Sequence, residues 1–225
     1  MRTEQPIVAP ITIGILGGTG DQGRGLGRRL AAAGHTIVLG SRDAERAEAA
    51  AETLVRRSKR LAITGGTNSE AAAKGEVVIV AVPYEGHREL LASLAAELAG
   101  KVVVDCVNPM AFDKRGATMV PVPEGSAAEE AAAVLPESTI VSAFHDVSAR
   151  RLLGSNLSVS TDVLVCGDDK EAKALVCALA GQIRGMRGID AGPLRLASVL
   201  ESLTTVLIAI NRAYKTHSGV RITGV

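Results

Sequence analysis

The sequence predicts an α/β protein built on a doubly wound parallel sheet and followed by a small C-terminal α/β domain. Three observations predict it. Short β-branched runs alternate with Ala-rich helical stretches from about Ile11 to about Phe144, the pattern of consecutive βαβ units with right-handed crossovers. Val77–Val82 is a continuous apolar run, the composition of a strand buried on both faces. Beyond Phe144 the pattern changes to two further strands, one helix between them and a long apolar helix, in a chain of 225 residues that has room for one domain or two small ones.

The elements follow in order. Ile11–Leu16 reads as the first strand, and Gln22–Ala33 as a helix ended by Gly34. Thr36–Leu39 is the second strand; Ala44–Ser58 is a helix with Ser41 or Asp43 as its N-cap. Leu61–Ile63 reads as a short third strand, Asn68–Lys74 as a short helix, Val77–Val82 as the fourth strand and Glu85–Leu98 as a helix. Val102–Val104 is another buried strand, Ala127–Val134 a helix and Thr139–Ser142 a strand. The C-terminal part reads as strand Asp162–Cys166, helix Lys170–Ile183, short strand Arg187–Asp190 and helix Leu194–Lys215. The division expected is 1–150 and 151–225, with the boundary between His145 and Ser160 and the two parts closely packed, because no Pro- or Ser-rich linker separates them.

Composition narrows the function. Hydrophobic residues make up 47% and charged residues 22%, which excludes a disordered chain. A net charge of +1 argues against nucleic acid or a membrane surface as partner, and two Phe, two Tyr and no Trp argue against a base-stacking platform. Cys106, Cys166 and Cys177 form no C-x-x-C pair and are too few for a disulfide framework, so reduced thiols in a cytoplasmic protein are expected. His35, His87, His145 and His217 show no metal-ligand spacing, and no metal is expected. No apolar run approaches the ~20 residues of a membrane span. Met1–Ile15 resembles a leader only faintly and is better explained as a strand entering a glycine-rich turn.

That turn carries the first functional signal. Gly18-Thr19-Gly20-Asp21-Gln22-Gly23 fits G-x-G-x-x-G, with a strand leading in and a helix leading out, the Rossmann-like context in which glycines let the backbone approach a pyrophosphate and the helix N-terminus holds its charge. The end of the second strand then selects the dinucleotide. An NAD site carries Asp or Glu there; this chain carries Gly40-Ser41-Arg42, with Arg46 one helical turn on, residues suited to a 2′-phosphate. NADP(H) is therefore expected. Val82-Pro83 and Asn108-Pro109 end later strands near where the nicotinamide half belongs, and His145 follows a buried strand at the same rim. No nucleophile elbow, zinc motif or P-loop is present. This scarcity of acid–base groups favours hydride transfer between two organic cofactors over reduction of a simple ketone.

The glycine turn with Gly25-Leu26, the Gly40-Ser41-Arg42 segment, and the more specific Val141-Ser142-Ala143-Phe144-His145, Val165-Cys166-Gly167-Asp168-Asp169, Asp190-Ala191-Gly192-Pro193-Leu194 and Glu201-Ser202-Leu203-Thr204 resemble the NADPH:coenzyme F-420 oxidoreductases over nearly the whole chain from Ile11. Coenzyme F-420 (hereafter F420) is an 8-hydroxy-5-deazaflavin with a phosphate and glutamate tail. The resemblance implies a Rossmann-like NADP-binding domain over 1–150, a small domain over 151–225 that closes the deazaflavin cleft, and a homodimer. It implies that Thr19, Ser41, Arg42 and Arg46 hold the NADP phosphates, and that Asn108, Pro109, His145, Val147, Leu194 and Leu203 surround the deazaflavin. His145 is expected to orient the ring, and the reaction implied is reversible hydride transfer between NADPH and F420.

Two more features bear on partners. From Arg184 onward six basic residues (Arg184, Arg187, Arg195, Arg212, Lys215, Arg221) stand against Asp190 and Glu201, a charge suited to steering an anionic tail as well as to ordinary solvation. Val199, Leu200, Leu203, Val206, Leu207 and Ile210 recur at helical spacing, which serves equally for packing on the chain's own sheet or for a dimer interface. Two other functions share the motifs: another NADPH-dependent flavin or metal reductase of the same fold, and a non-catalytic NADP-binding redox sensor.

Overall fold

A computed structural model describes residues 7–58, 60–154 and 158–225. The residues up to Pro6, and 155–157 of the expected boundary region, lie outside the described residues. The chain order is β1 (Thr12–Leu16), α1 (Asp21–Ala32), β2 (Thr36–Ser41), α2 (Ala44–Arg57), β3 (Ile63–Thr67), α3 (Asn68–Lys74), β4 (Val77–Val80), α4 (His87–Ser93), α5 (Ala95–Leu98) and β5 (Val102–Asp105). There follow β6 (Met110–Asp113), β7 (Gly116–Met119), α6 (Ala127–Val134), β8 (Thr139–Ser142), α7 (Ala149–Leu153), β9 (Thr161–Gly167), α8 (Lys170–Gln182), β10 (Met186–Gly192) and, after a turn of 3-10 helix at Leu194–Leu196, α9 (Ala197–Tyr214).

Eight strands form one sheet in the order β10-β9-β8-β5-β4-β1-β2-β3, and β6-β7 is a separate hairpin. From β3 to β8 all pairings are parallel, and the order reverses direction between β1 and β4. That switch point opens a crevice at the carboxyl ends of the strands, where α/β sheets bind ligands. β9 enters antiparallel to β8, paired only through Val141–Gly167 and Ser142–Cys166, and β10 runs parallel to β9. The C-terminal strands thus extend the same sheet.

Apolar side chains fill both faces. One core joins Ile13, Ile15, Leu26, Leu30 and Leu54 to Val163, Val176 and Leu179 of the C-terminal part. The other joins Val78, Val80, Leu91, Leu98, Val103, Ala131 and Leu135 to Leu194 and Ala197. Burying each of the larger side chains stabilises the fold by about 1.5–3 kcal/mol before ordering entropy is counted.

The structure corrects several expectations. The third strand is Ile63–Thr67, later than Leu61–Ile63, and its glycines let α2 approach: a Cβ on Gly65 would stand 2.2 Å from backbone atoms of Ala47 and Glu48. The helix expected over 85–98 breaks at Leu94, whose φ of −115° and ψ of 11° leave the helical region. Asp43, not Ser41, caps α2, accepting the N–H of Arg46. Leu194–Tyr214 spans 21 residues and contains an 18-residue window of mean hydropathy 1.4, so by length and composition it is long and apolar enough to cross a bilayer, contrary to the expectation that no run approaches that length. Its inward face carries Leu200, Leu207 and the carboxyl of Glu201, which accepts the N–H groups of Ala127 and Ala128 at the start of α6. Burial first, then repulsion from Asp105, raise that carboxyl to about 7 against the pull of the two N–H groups.

Candidate active site

The site begins where β1 runs into α1. Gly17 takes φ +70°, its N–H donates to Asn68 Oδ1, and Gly18 N–H donates to Gly40 O. A Cβ on Gly23 would lie 2.8 Å from Gly18 Cα, so α1 packs directly on the turn. α1 starts at Gly20 with no side-chain cap, whereas α2, α3, α6 and α8 are capped by Asp43, Thr67, Ser126 and Asp169. The first N–H groups of α1, from Asp21 and Gln22, therefore point outward without a capping side chain, the arrangement that receives a phosphate.

At the end of β2, Ser41 is nearly buried and its Oγ accepts the N–H of Asp43. Arg42 and Arg46 are exposed and, among the described residues, their guanidiniums make no hydrogen bond or ion pair. Two unpaired guanidiniums beside an uncapped helix start fit a dinucleotide with an extra phosphate. Thr19 lies in the turn, half-buried, while Asp21 is turned aside in an ion pair with Arg24.

A cavity of about 190 Å³ opens at the switch point, lined by Gln22, Ala81, Val82, Cys106, Val107, Asn108 and His145. It brings together four expected residues: Gln22 from the first turn of α1, and Val82, Asn108 and His145 from beyond the ends of β4, β5 and β8. Gln22 Nε2 donates to Phe144 O, and Phe144 holds a left-handed φ of 65°, a strained conformation for a buried aromatic residue. Asn108 Nδ2 donates to His145 O at 3.2 Å, and Thr204 Oγ1 of α9 donates to the same oxygen at 3.1 Å. The His145 ring is buried with Nε2 3.4 Å from Ser142 Oγ. Burial lowers its pKa to about 4, with Asp105 pulling weakly the other way, so the ring is neutral at pH 7. Cys106 Sγ donates to Val80 O, and burial then Asp105 push its thiol far above the ordinary range, so it is no nucleophile.

The other expected residues fall outside this cavity. Pro83 is exposed and Pro109 buried. Val147 and Leu194 belong to the two apolar cores, and Leu203 is half-buried on α9. Ala81, Cys106 and Val107 were missed because nothing in an apolar strand end marks it as a ligand wall. Thr204 belongs to the Glu201-Ser202-Leu203-Thr204 segment, but its hydroxyl reaches His145 only through the packing of α9. The basic C-terminal set is also reduced: Arg187 and Arg221 both pair with the buried Asp162, a carboxylate the charge count omitted. A second cavity, of about 460 Å³, lies between β7 and α9, with Arg115 and Arg212 among its walls and none of the expected site residues.

Known proteins match the chain along nearly its whole length. Residues 12–109 match the family model described as NADP oxidoreductase, coenzyme F420-dependent. The F420-dependent NADP reductase of Methanocaldococcus jannaschii is 45% identical over 94% of this chain and 97% of its own. That of Methanothermobacter marburgensis is 39% identical over 94% of this chain and 97% of its own. A crystal structure from Arthrobacter sp. FB24, described as an F420-dependent NADP reductase, superposes with a TM-score of 0.81 at 28% identity, covering 95% of this chain and 99% of that one. Matched along nearly its full length by these reductases, the chain belongs to the F420-dependent NADP oxidoreductases.

Proposed function

We infer that the chain is an NADPH:F420 oxidoreductase, moving a hydride reversibly between the two cofactors. The observation that carries this reading is that Arg42, after the end of β2, and a cavity beyond the ends of β4, β5 and β8 share the carboxyl edge of one parallel sheet, with a neutral, buried imidazole, His145, in the cavity wall. Gly18, Thr19, Gly20, Asp21, Gln22 and Gly23 form the pyrophosphate cradle through their backbone, and Ser41, Arg42 and Arg46 take the 2′-phosphate. Val82 and Pro83, with Ala81, back the nicotinamide. Asn108, Pro109, His145, Val147, Leu194 and Leu203 form and support the deazaflavin side. Bound together, the two cofactors would supply a hydride donor and a hydride acceptor; reduction of the deazaflavin also takes up one proton, which solvent can supply and the reverse reaction returns. The protein's work is then to hold the rings, exclude water and fix His145 through its carbonyl bonds to Asn108 and Thr204. With purified protein and NADPH, the visible absorbance of oxidised F420 should be lost, with little loss when NADH replaces NADPH or FMN replaces F420. Tight NADPH binding without loss of absorbance would leave the nucleotide site standing and refute the second substrate.

We also assign residues 1–150 to NADP binding and 151–225 to closing the deazaflavin cleft. The partner assigned besides the two cofactors is a second copy of the chain, with neither nucleic acid nor membrane. Val199, Val206, Ile210 and Tyr214 form an exposed apolar stripe on α9, and a partner copy would cover it. Sedimentation should show a dimer for the native chain and a monomer for Val206→Asp/Ile210→Asp; a native monomer would refute the assignment. A reducing, cytoplasmic location is consistent with three unpaired thiols, of which Cys166 and Cys177 are raised to about 11 chiefly by burial.

A further inference from the structure

We propose that His87 is a positioning residue for hydride transfer, an imidazolium clamped between Asp105 and Glu130 that fixes the exit of β5 as the cavity wall against which the deazaflavin is seated. The inference rests on the reading of the cavity given above. It goes beyond that reading because His87 is not among the residues lining the cavity.

The geometry fixes the charge of the ring. His87 opens α4 with its side chain fully buried; Nε2 lies 2.7 Å from Asp105 Oδ2 and Nδ1 lies 2.8 Å from Glu130 Oε1. Carboxylate oxygens only accept, so both ring nitrogens must carry hydrogen, and only the cation has two. Burial by itself pulls the ring's pKa down; hydrogen bonds and charge from Asp105, then Glu130, more than reverse this and raise it to about 9.

A chain of hydrogen bonds leads from this ring to the cavity. The second oxygen of Asp105, Oδ1, accepts the N–H of Val107 at 2.9 Å and so turns the backbone at the end of β5. Cys106, Val107 and Asn108, the residues shaped by that turn, line the cavity, and Asn108 passes the constraint to the carbonyl of His145. On the outer side, Glu130 Oε2 receives Arg88 Nε at 3.3 Å and Tyr84 Oη at 3.4 Å, and Arg88 also pairs with Glu124. The groups facing the imidazolium and its carboxylates are thus Asp105 from β5, Glu130 from α6, Arg88 from α4, Tyr84 and Glu124 from the flanking loops, and Glu201 from α9. Apolar residues would fill this space at a lower desolvation cost. What the ionic arrangement adds is direction, since it aims Asp105 Oδ1 at a single N–H.

As pH rises through about 9, the ring gives up one hydrogen and one of the two bonds. The wall at 106–108 loosens, while NADPH remains held by the α1 turn and Arg42 at the far end. The KM for F420 should therefore climb above pH 9 and the Kd for NADPH should not.

The test measures both on the full chain from pH ~6.5 to ~9.5, the range that brackets this titration. His87→Gln should raise the KM for F420 about tenfold, keep the NADPH Kd within about twofold, and abolish the climb above pH 9. Glu130→Gln keeps the Asp105 bond, guards against a variant that fails to fold, and should move the climb to lower pH by removing one of the raising charges. A wild-type KM flat to the top of the range would overturn the proposal. So would equal losses for F420 and NADPH that track a lowered Tm. Absence of any wild-type turnover with F420 would instead overturn the underlying reading, before any variant is compared.

Discussion

Replacing Arg42 and Arg46 together by alanine should raise the KM for NADPH by about 10²-fold while leaving the KM for NADH within about threefold. Each charge-assisted bond to a phosphate contributes roughly 1.5–3 kcal/mol, and every 1.4 kcal/mol is tenfold. Both guanidiniums are exposed and unpaired among the described residues, so their removal breaks nothing inside the fold. The loss therefore reads ligand binding and little else. Arg42→Ala alone should cost most of it, because Arg42 directly follows the end of β2 while Arg46 reaches back from α2. Steady-state kinetics with the two nucleotides decide the matter, and equal losses for both would remove the 2′-phosphate assignment. The double variant should also show a weaker dependence of KM on salt, since exposed charge pairs are screened over about 10 Å at 0.1 M.

The second large effect is on stability. Asp162 is fully buried at the start of β9 and accepts four hydrogen bonds: two from Arg187, one from Arg221 and one from the N–H of Ile222. Thr161 and Val220 exchange further bonds beside it, so this one carboxylate ties β10 and the last residues of the chain to the sheet. Removing one partner of a buried ion pair costs about 3–5 kcal/mol. Here Arg187 and Arg221 are 34% and 43% exposed and can return to water, so Asp162→Ala should cost about 2–4 kcal/mol. In a chain of this size that lowers Tm by roughly 5–15 °C. The KM for NADPH should hold, because β2 lies far across the sheet. Burial alone would raise this carboxyl, but the Arg187, Ile222 and Arg221 bonds outweigh it and bring its pKa from 3.8 to about 2. The contribution is thus complete above the unfolded value and lost as pH falls toward 2. Urea midpoints should drop steeply in that acid window for the native chain, and Asp162→Asn should flatten the drop. An unchanged Tm in Asp162→Ala would refute the account.

How legible the molecule was in its sequence depended on distance along the chain. Helices Asn68–Lys74 and Ala127–Val134 and strand Thr139–Ser142 stand where composition and capping residues placed them, since their signals are local. The third strand was displaced because Thr64-Gly65-Gly66-Thr67 has poor strand propensity and is held extended by α2, a tertiary effect. The β6–β7 hairpin and α7 were not foreseen, and no local signal states that β9 runs against β8. The site divides the same way. Its phosphate end is written in consecutive residues, Gly18 to Gly23 and Gly40 to Arg42. Its ring end is assembled from Gln22, Val82, Asn108 and His145, none of which forms a pattern with another. His87, Asp105 and Glu130 are separated by 18 and 43 residues from ring to carboxyl, and four scattered histidines gave no reason to choose this one.

The antiparallel entry of β9 sets where the sheet gives way first. Every parallel neighbour is laced by four or more residue pairs, but β8 and β9 share only Val141–Gly167 and Ser142–Cys166. A fluctuation that parts the sheet at this seam ruptures the fewest backbone bonds. Sub-global opening follows such lines, and amides on either side of one then exchange with solvent as separate cooperative blocks. The unit β9-α8-β10 is therefore a foldon that can lift as one piece, and the apolar core shared across the seam sets how often it does so.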